Sequence, residues 1–481
     1  MATIEDALAI AWKLFQAGDL AGAIRVYGKI VEIDPGAVAA WQMIGAIHQL
    51  EGRLDLAVTN YQHVLRLDPN HVEALNNLSV ALQAQGDIER ALDGLRRAIA
   101  LKPEYADAHS NLGNALQEQG HLDGAVAAYR QALQLKPAHF DALNNLGNAL
   151  RAQGKLVESV ASYERALQVK PDNPQVRMSR ALCWLQMGDF ERGWAEYEWR
   201  LKCKEFSIPA FRQPLWDGSP LEGRLILLYA DHGLGDSIQF IRYAPMVKAR
   251  GGCVIVACQQ PLARLLATCP GIDEVFAEGS LLPDFAFYAP LMSLPTILGT
   301  SLSSVPAEVP YVTADRALVE QWRGELEPGG GFKIGIAWQG NPRYRRDHQR
   351  SFRLAQLEPL ARVEGVRLLS LQKGAGTDQI AQLGERFAVS DLGSQFTDFM
   401  DTAAVMRNLD LVITSDSSIA HLAGALGVRI WVAIPVAADW RWLNEREDSP
   451  WYPTMRLFRQ KRWGDWDEVF ARMAGELAAT R

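Results

Sequence analysis

Three loops of this 481-residue chain hold side chains able to do chemistry. The first, YADHGLGDSIQF (229–240), follows the apolar run LILLYA and sets His232 and Asp236 around Gly233 and Gly235. A dinucleotide-binding turn would read G-x-G-x-x-G and leave the helix start free for a phosphate. Here Asp236 stands at that start. A carboxylate in this place denies the site to an anion and suits a general base that takes a proton from a hydroxyl. His232 is the second choice for that base or for orienting the acceptor. A plain helix cap without chemistry is the alternative for Asp236.

The second loop, AWQGNPRYRRDHQRSFRLAQLEPL (337–360), includes Gly340 and Asn341 near its start and carries Arg343, Arg345, Arg346, Arg350 and Arg353. Cations after a strand can neutralise a departing diphosphate, and a solvated basic loop is the alternative. Lys373, after VRLLSLQ, is another cation of this kind. The third loop lies in LDLVITSDSSIAHLAGALGVRIWVAIP (409–435), where Asp416, Ser417 and Ser418 end a strand and His421 follows early in a helix. Two hydroxyls beside free helix amides make a diphosphate cradle, and Ser417 can cap the helix as well. Beyond residue 210 the histidines are His232, His348 and His421, one in each loop. GDWDE (464–468) contains D-x-D, a metal-binding pattern, but beside a C-terminal helix instead of at a strand end. It reads as a helix start, and no metal is expected. ADWRWLNEREDSPWYP (438–453) is rich in Trp and Arg, which suits either stacking on a base or packing between domains.

The elements that must hold these loops alternate in period. LILLYA, CVIVA (253–257), FAFYA (285–289), FKIGIAW (332–338), VRLLSLQ (366–372), LDLVITS (409–415) and RIWVAIP (429–435) read as buried parallel strands with helices between them. That pattern predicts an α/β region with right-handed crossovers, its ligands at the carboxyl ends of the strands. Pro209, Pro214 and Pro220 mark a linker over 206–222. ELEPGGGF (325–332) divides the remainder into two Rossmann-like domains, 223–328 and 329–481.

Residues 1–205 follow another rule. Proline recurs at 35, 69, 103, 137 and 171, and glycine at 18, 52, 86, 120, 154 and 188. Ala23, Ala57, Ala91 and Ala125 keep step, as do Tyr27, Tyr61, Tyr129, Tyr163 and Tyr197, with Leu95 in the third slot. This 34-residue spacing is the tetratricopeptide (TPR) signature, six helix pairs stacked into an α-superhelix with a concave face. Asn77, Asn111 and Asn145 share one repeat position, and Asn114 and Asn148 lie one helical turn further on. Such a row can solvate an exposed face. It can also donate to and accept from the backbone of an extended peptide. Met43 and Ser179 stand in the same register in the outer repeats, so any such groove is short.

Charged residues make up 22% and hydrophobic residues 48% of the chain, ordinary for a globular protein. A net charge of −7 argues against nucleic acid as the main partner. The five cysteines show no metal-like spacing and fit a reduced, cytoplasmic setting. MATIEDALAIAWKLF has acids where a signal peptide needs bases, and no apolar run is long enough for a membrane span.

Two resemblances sharpen these expectations. ADAHSNLGNALQEQGHLDGAVAAYRQALQLKP (106–137) resembles the TPR units of O-GlcNAc transferase, whose asparagine ladder holds acceptor polypeptide. That implies peptide-binding roles for Asn77, Asn111, Asn114, Asn145 and Asn148. The 409–435 stretch resembles the D-[ST]-[GS]-x-x-H-x-A donor motif of the lipopolysaccharide heptosyltransferase family, and the G-x-G-D turn resembles that family's N-terminal loop. The resemblance implies a GT-B fold of two Rossmann-like domains. It also implies donor contacts at Asp416, Ser417 and Ser418, with His421 nearby, and Asp236 as the base. That family's lysine before the second-loop helix is replaced here by Arg350. The expected activity is metal-independent, inverting transfer of a sugar from a nucleotide-sugar donor to a hydroxyl, with a protein acceptor in the TPR groove. Gly340, Asn341, Arg350 and Lys373 complete the expected donor site. The alternatives are a glycan or lipid-linked acceptor with the repeats used for assembly, and a non-catalytic scaffold.

Overall fold

The computed structural model describes residues 3–480 apart from 205, 207, 208, 210, 345 and 346. Arg345 and Arg346 of the second loop therefore lie outside the described residues. The chain forms two compact units, Met1–Val176 and Arg177–Arg481.

The first unit is built of antiparallel helix pairs, beginning with Ile4–Gln16 and Leu20–Ile33 and continuing to Leu156–Val169. The repeat glycines explain the turn between the helices of a pair. Gly18, Gly52, Gly86, Gly120 and Gly154 all have φ between 73° and 87°, the left-handed region that ends a helix at little cost only for glycine. The small residues Ala23, Ala57, Ala91 and Ala125 are fully buried, where a larger side chain would push the paired helices apart. Tyr27, Tyr61, Tyr129 and Tyr163 are buried beside them, and Leu95 fills the third slot with equal burial.

The division between units falls inside the sixth repeat, ahead of the sequence reading's break at 205. From Arg177 onward the last helix pair belongs to the second unit. Its aromatic face is the reason. Trp194 lies 5.1 Å from Trp440 and 6.1 Å from Phe240, both edge-on, and Phe190 stacks 5.9 Å from Trp451.

The second unit contains two wholly parallel sheets. Strands β1 (Leu225–Tyr229), β2 (Cys253–Cys258), β3 (Glu274–Ala277) and β4 (Phe287–Pro290) form the first, in the order β3-β2-β1-β4. Strands β5 (Phe332–Ala337), β6 (Val366–Ser370), β7 (Val389–Asp391), β8 (Leu411–Ser415), β9 (Ile430–Ile434) and β10 (Met455–Arg459) form the second, in the order β10-β9-β8-β5-β6-β7. Registers such as Leu227 opposite Ile255 and Ile336 opposite Ile413 place buried residues side by side. The second order is that of the dinucleotide-binding fold, and the first sheet is its four-stranded half. All seven apolar runs of the sequence reading are strands, and β3, β7 and β10 are additional.

One apolar cluster runs through both sheets, from Ile226, Val254 and Val256 to Val412, Ile430 and Val432. A second covers the other face of β5, β6 and β8 with Phe470 and Met473 of the C-terminal helix Trp466–Ala479. The helix Arg316–Leu326 precedes the glycine break yet packs toward the second sheet, with Trp322 5.9 Å from Phe396. Pro214, Leu215 and Trp216 of the linker lie along the edge strand β4, where Trp216 donates its backbone N–H to Tyr288 at 2.8 Å.

Candidate functional site

In an open parallel sheet, ligands lie outside the carboxyl ends of the strands where the strand order reverses. In the first sheet that point is between β1 and β4, and in the second between β5 and β8. The three loops read as chemical from the sequence leave the sheets at these points, after β1, β5 and β8. The helix Leu234–Phe240, which follows β1, packs on the helix Ser418–Ala425, which follows β8. A Cβ on Gly235 would lie 2.8 Å from His421 Cδ2 and 3.4 Å from Ser418 Cα, so glycine is required for this approach. The structure thus brings Asp236 into one neighbourhood with Ser418 and His421.

Asp236 has both carboxylate oxygens engaged. Oδ2 accepts from the Gly233 N–H at 3.0 Å, closing a capping box, and Oδ1 is bonded by Arg441 Nη2. Arg441 comes from a short 3-10 turn, Trp440–Trp442, that follows β9. Its side chain is 9% exposed and its whole fork is used. Nε donates to Gln239 Oε1 at 2.6 Å and Nη1 to Asp439 Oδ1 at 2.8 Å, while the plane lies 4.3 Å from the Trp440 ring centre. Burial works against its charge, but Asp439 and Asp236 more than offset this and hold it firmly protonated. Gln239 Nε2 is buried with no hydrogen-bond partner among the described residues.

His232 lies beside this group in a different setting. Its Nδ1 is 3.1 Å from Asp231 Oδ2, its Nε2 is 3.4 Å from the Tyr197 hydroxyl, and its ring is 4.9 Å from Phe206. Burial pushes Asp231 up, yet His232 and Arg200 outweigh it and leave the carboxyl below its usual range. Arg200 is fully buried and reaches Glu198 at 2.6 Å, Ser293 at 2.7 Å and Asp231 at 3.3 Å. The end of the sixth repeat therefore supports the first loop directly.

The third loop leaves its helix start open. Ser417 is the N-cap residue by backbone geometry, but its side chain makes no capping bond and instead lies 3.3 Å from Thr414 Oγ1. Ser415 Oγ is buried and without a partner among the described residues. Burial and the negative charge of Asp439 push the Asp416 carboxyl up to about 6, against the pull of Arg350, the Trp442 indole and Arg441. His421 is 5% exposed, bonded through Nδ1 to the Tyr452 hydroxyl at 2.9 Å and stacked 5.4 Å from Trp442. Burial, then Arg441, hold it well below the usual histidine range. It is a neutral packing residue at the root of the helix.

The second loop is a knot of its own. Arg350 Nε donates to Asp347 Oδ1 at 3.1 Å and lies 4.8 Å over Tyr344. Ser351 Oγ donates to Asp347 Oδ2 at 2.9 Å and accepts from the Gly340 N–H at 3.0 Å. Asn341 is exposed and closes a turn by accepting from the Arg343 N–H at 3.0 Å. Lys373 is committed elsewhere, with its ammonium on the backbone carbonyls of Phe396 and Thr397. Among the described residues no hydrogen bond or ion pair joins Lys373 to the third loop.

Trp440, Trp442 and Trp451 are all at most 4% exposed, so 438–453 is packing and offers no open ring to a base. Asp465 is the N-cap of the C-terminal helix, accepting from the Glu468 N–H at 3.2 Å, and Asp467 bonds Gln356 at 2.9 Å. Among the described residues no group of three His, Cys, Asp or Glu side chains is placed to hold a metal, and no helix is long and apolar enough to cross a membrane. Arg441, Asp439 and Gln239 were missed. The signal available was the Arg in ADWRW, whose partner Asp236 lies 205 residues earlier.

In the first unit the asparagine row is a hydrogen-bonded chain. Asn145 Nδ2 donates to Asn114 Oδ1 at 2.9 Å, Asn114 to Asn111 at 3.5 Å, Asn111 to Asn76 at 2.8 Å, and Asn76 to Asn77 at 3.1 Å. Tyr129 donates to Asn114 and Tyr163 to Asn148, both at 2.8 Å. The five residues singled out in the sequence are half-buried. Each amide spends part of its capacity on a neighbour and keeps part for a ligand. Asn76 and Asn144 are additions, and the paired letters NN at 76–77 and 144–145 were their signal.

Comparison with known proteins bears on the repeats. Residues 45–86 and 81–120 match a TPR repeat family, and residues 110–174 and 146–198 a second tetratricopeptide repeat family. Protein FlbA of Caulobacter vibrioides is 28% identical over 337 residues, which is 64% of this chain and 55% of that protein. The chain thus spans about half the length of the curated relative it matches. Among solved structures, the MamA protein is 30% identical, with 35% of this chain and 92% of that one covered at a TM-score of 0.31. Pseudomonas aeruginosa PilF is 22% identical, with 41% and 90% covered at a TM-score of 0.38. The helical repeats of this chain are tetratricopeptide repeats, followed by a parallel-sheet α/β region.

Proposed function

We propose that the α/β unit is a glycosyltransferase of GT-B type that moves a sugar from a nucleotide-sugar donor to a hydroxyl. The acceptor in this reading is a protein segment bound by the tetratricopeptide repeats. The observation that carries it is the meeting of two strand-order reversals, where the Asp236 loop of one sheet adjoins the uncapped helix start at Ser417 and Ser418 of the other. The acceptor hydroxyl gives its proton to Asp236, with His232 as second choice, while its oxygen attacks the anomeric carbon from the face opposite the leaving group. The carbon–oxygen bond to the nucleoside diphosphate breaks, and its electrons leave with the diphosphate. First-turn amides at Ser417 and Ser418, together with Arg350, receive that charge. Asp416 holds hydroxyls of the donor sugar.

A second reading, a non-catalytic scaffold, is favoured by one observation: both oxygens of Asp236 are already bonded. A carboxylate keeps further lone pairs after two such bonds, so the pairing orients the group without exhausting it. A thermal-shift panel of UDP, ADP, GDP, TDP and CMP separates the two. A ligand at about one hundred times its dissociation constant adds roughly 2.7 kcal/mol of stability. One clear winner, with transfer of its sugar abolished in a folded Asp236→Ala variant, supports the transferase. No shift with any of the five leaves the scaffold.

A further inference from the structure

A groove of about 710 Å³ lies on the second sheet's half of the unit, lined by His348, Ser351, Arg353, Gln379, Arg386 and Trp466 among others. This volume is in the range of small-molecule sites, roughly 300–1,000 Å³. Its polar wall is unbalanced. The acceptor atoms facing it are largely spent. Gln379 Oε1 takes the Leu354 N–H at 2.9 Å, Gln356 Oε1 takes the Arg353 N–H at 3.0 Å, and Asp467, the one carboxylate in the lining, takes the Gln356 amide on Oδ1 and keeps Oδ2. The donors are not. Among the described residues the Arg353 guanidinium and the His348 ring have no hydrogen-bond or ion-pair partner. The Gln339 amide nitrogen has none either, its carbonyl alone being met by Gln379 at 3.4 Å. Arg386 gives one nitrogen to Glu358 and is otherwise exposed. Beneath lies a buried aromatic floor, Phe352 and Trp466, with ring centres 5.6 Å apart.

A wall of unspent N–H donors, two of them on guanidinium groups, is matched by a ligand rich in anionic oxygen. We propose that this groove is a binding site for a phosphate or diphosphate group, carried on an organic body that fills the volume over Phe352 and Trp466. It shares the second loop with the donor site proposed above, but Ser417 and Ser418 are not in its lining, and it does not rest on the transferase reading.

The test uses the full-length protein and calorimetric titration with inorganic pyrophosphate and with UDP. Arg353→Gln removes the free guanidinium at an exposed position. Ser418→Pro removes one amide of the other site while suiting the first position of a helix, where proline is tolerated. Loss of a charge-assisted hydrogen bond weakens binding about ten-fold or more. The expected result is that Arg353→Gln weakens by that factor a pyrophosphate site that Ser418→Pro leaves intact, the thermal midpoints of both unliganded variants staying at the wild-type value. UDP that binds more tightly than pyrophosphate and responds to Arg353→Gln identifies the organic body as a nucleoside. UDP that fails to bind, with pyrophosphate still dependent on Arg353, counts against the transferase and leaves the groove standing. Pyrophosphate that does not bind, or that is lost in Ser418→Pro and retained in Arg353→Gln, overturns the proposal.

Discussion

Replacing Arg441 by methionine tests whether the guanidinium holds the candidate site together. Methionine keeps most of the apolar stem over Trp440 and deletes the fork. Three partners lose their donor: Asp236, Asp439 and the Gln239 carbonyl. At 9% exposure little water can replace it, and two carboxylates are left sharing the space of one cation. Removing one member of a buried ion pair costs about 3–5 kcal/mol. The lower end of that range applies here, since the Asp236 and Asp439 side chains are 24% and 34% exposed and stay partly hydrated. The assay is urea unfolding followed by tryptophan fluorescence. Of the 14 tryptophans, only Trp12 and Trp41 precede residue 177, so the signal reports the second unit. Thermal unfolding should fall by roughly 2 °C for each kcal/mol. Asp439→Asn in the Arg441→Met background should recover part of the loss, because it removes one of the two facing charges. A loss below about 1 kcal/mol, or a second substitution that adds to the first in full, would refute the argument that these groups act as one buried cluster.

Further outcomes follow from other contacts. Gly235→Ala places a methyl against His421 and should cost about 1–3 kcal/mol in the same assay, the overpacking range; a neutral result means the two helices can separate freely. Asp416, raised to about 6 in the folded protein against roughly 4 in the unfolded chain, binds its proton more tightly when folded. Its contribution to stability is present at low pH and declines as pH rises from about 4 to about 6, so Asp416→Asn should remove that decline from the pH profile of unfolding. Asn114 accepts from both Asn145 and Tyr129, whereas Asn148 accepts from Tyr163. Asn114→Ala should therefore cost more than Asn148→Ala in thermal unfolding, by about 1 kcal/mol, and the reverse order would contradict the network.

The strands that sequence reasoning found and missed divide on physical grounds. β1, β2, β5, β6, β8 and β9 lie inside their sheets, and their buried runs are continuous. β3, β7 and β10 are all edge strands. EVFA and VSD are short and carry charges, and MRLFR interleaves arginine with apolar residues, as edges do to avoid further pairing. β4 is also an edge, but the linker covers it, and its apolar run was legible. The loops after β1, β5 and β8 were legible because glycine, serine and charge follow an apolar run. The partner of Asp236 was not, because nothing local marks Arg441 as facing it. The asparagine register was likewise visible as a period, while the bonding between its members depends on how far each repeat rotates past the last.

A stack of helical repeats ordinarily unfolds almost as a one-dimensional chain, each unit coupled only to its neighbours through apolar contact. The asparagine chain adds a directional polar link that runs from Asn145 back to Asn76 and Asn77. Melting any repeat along it strands a donor or an acceptor in the next, so these repeats should open together. The first repeats carry Met43 in that register, and among the described residues the asparagine chain itself stops at Asn76 and Asn77, leaving side contacts such as Gln85 to Asp55 at 2.7 Å to join them. Amide hydrogen exchange would then show a step in protection near residue 70, with fraying confined to the N-terminal side and a single cooperative block beyond it.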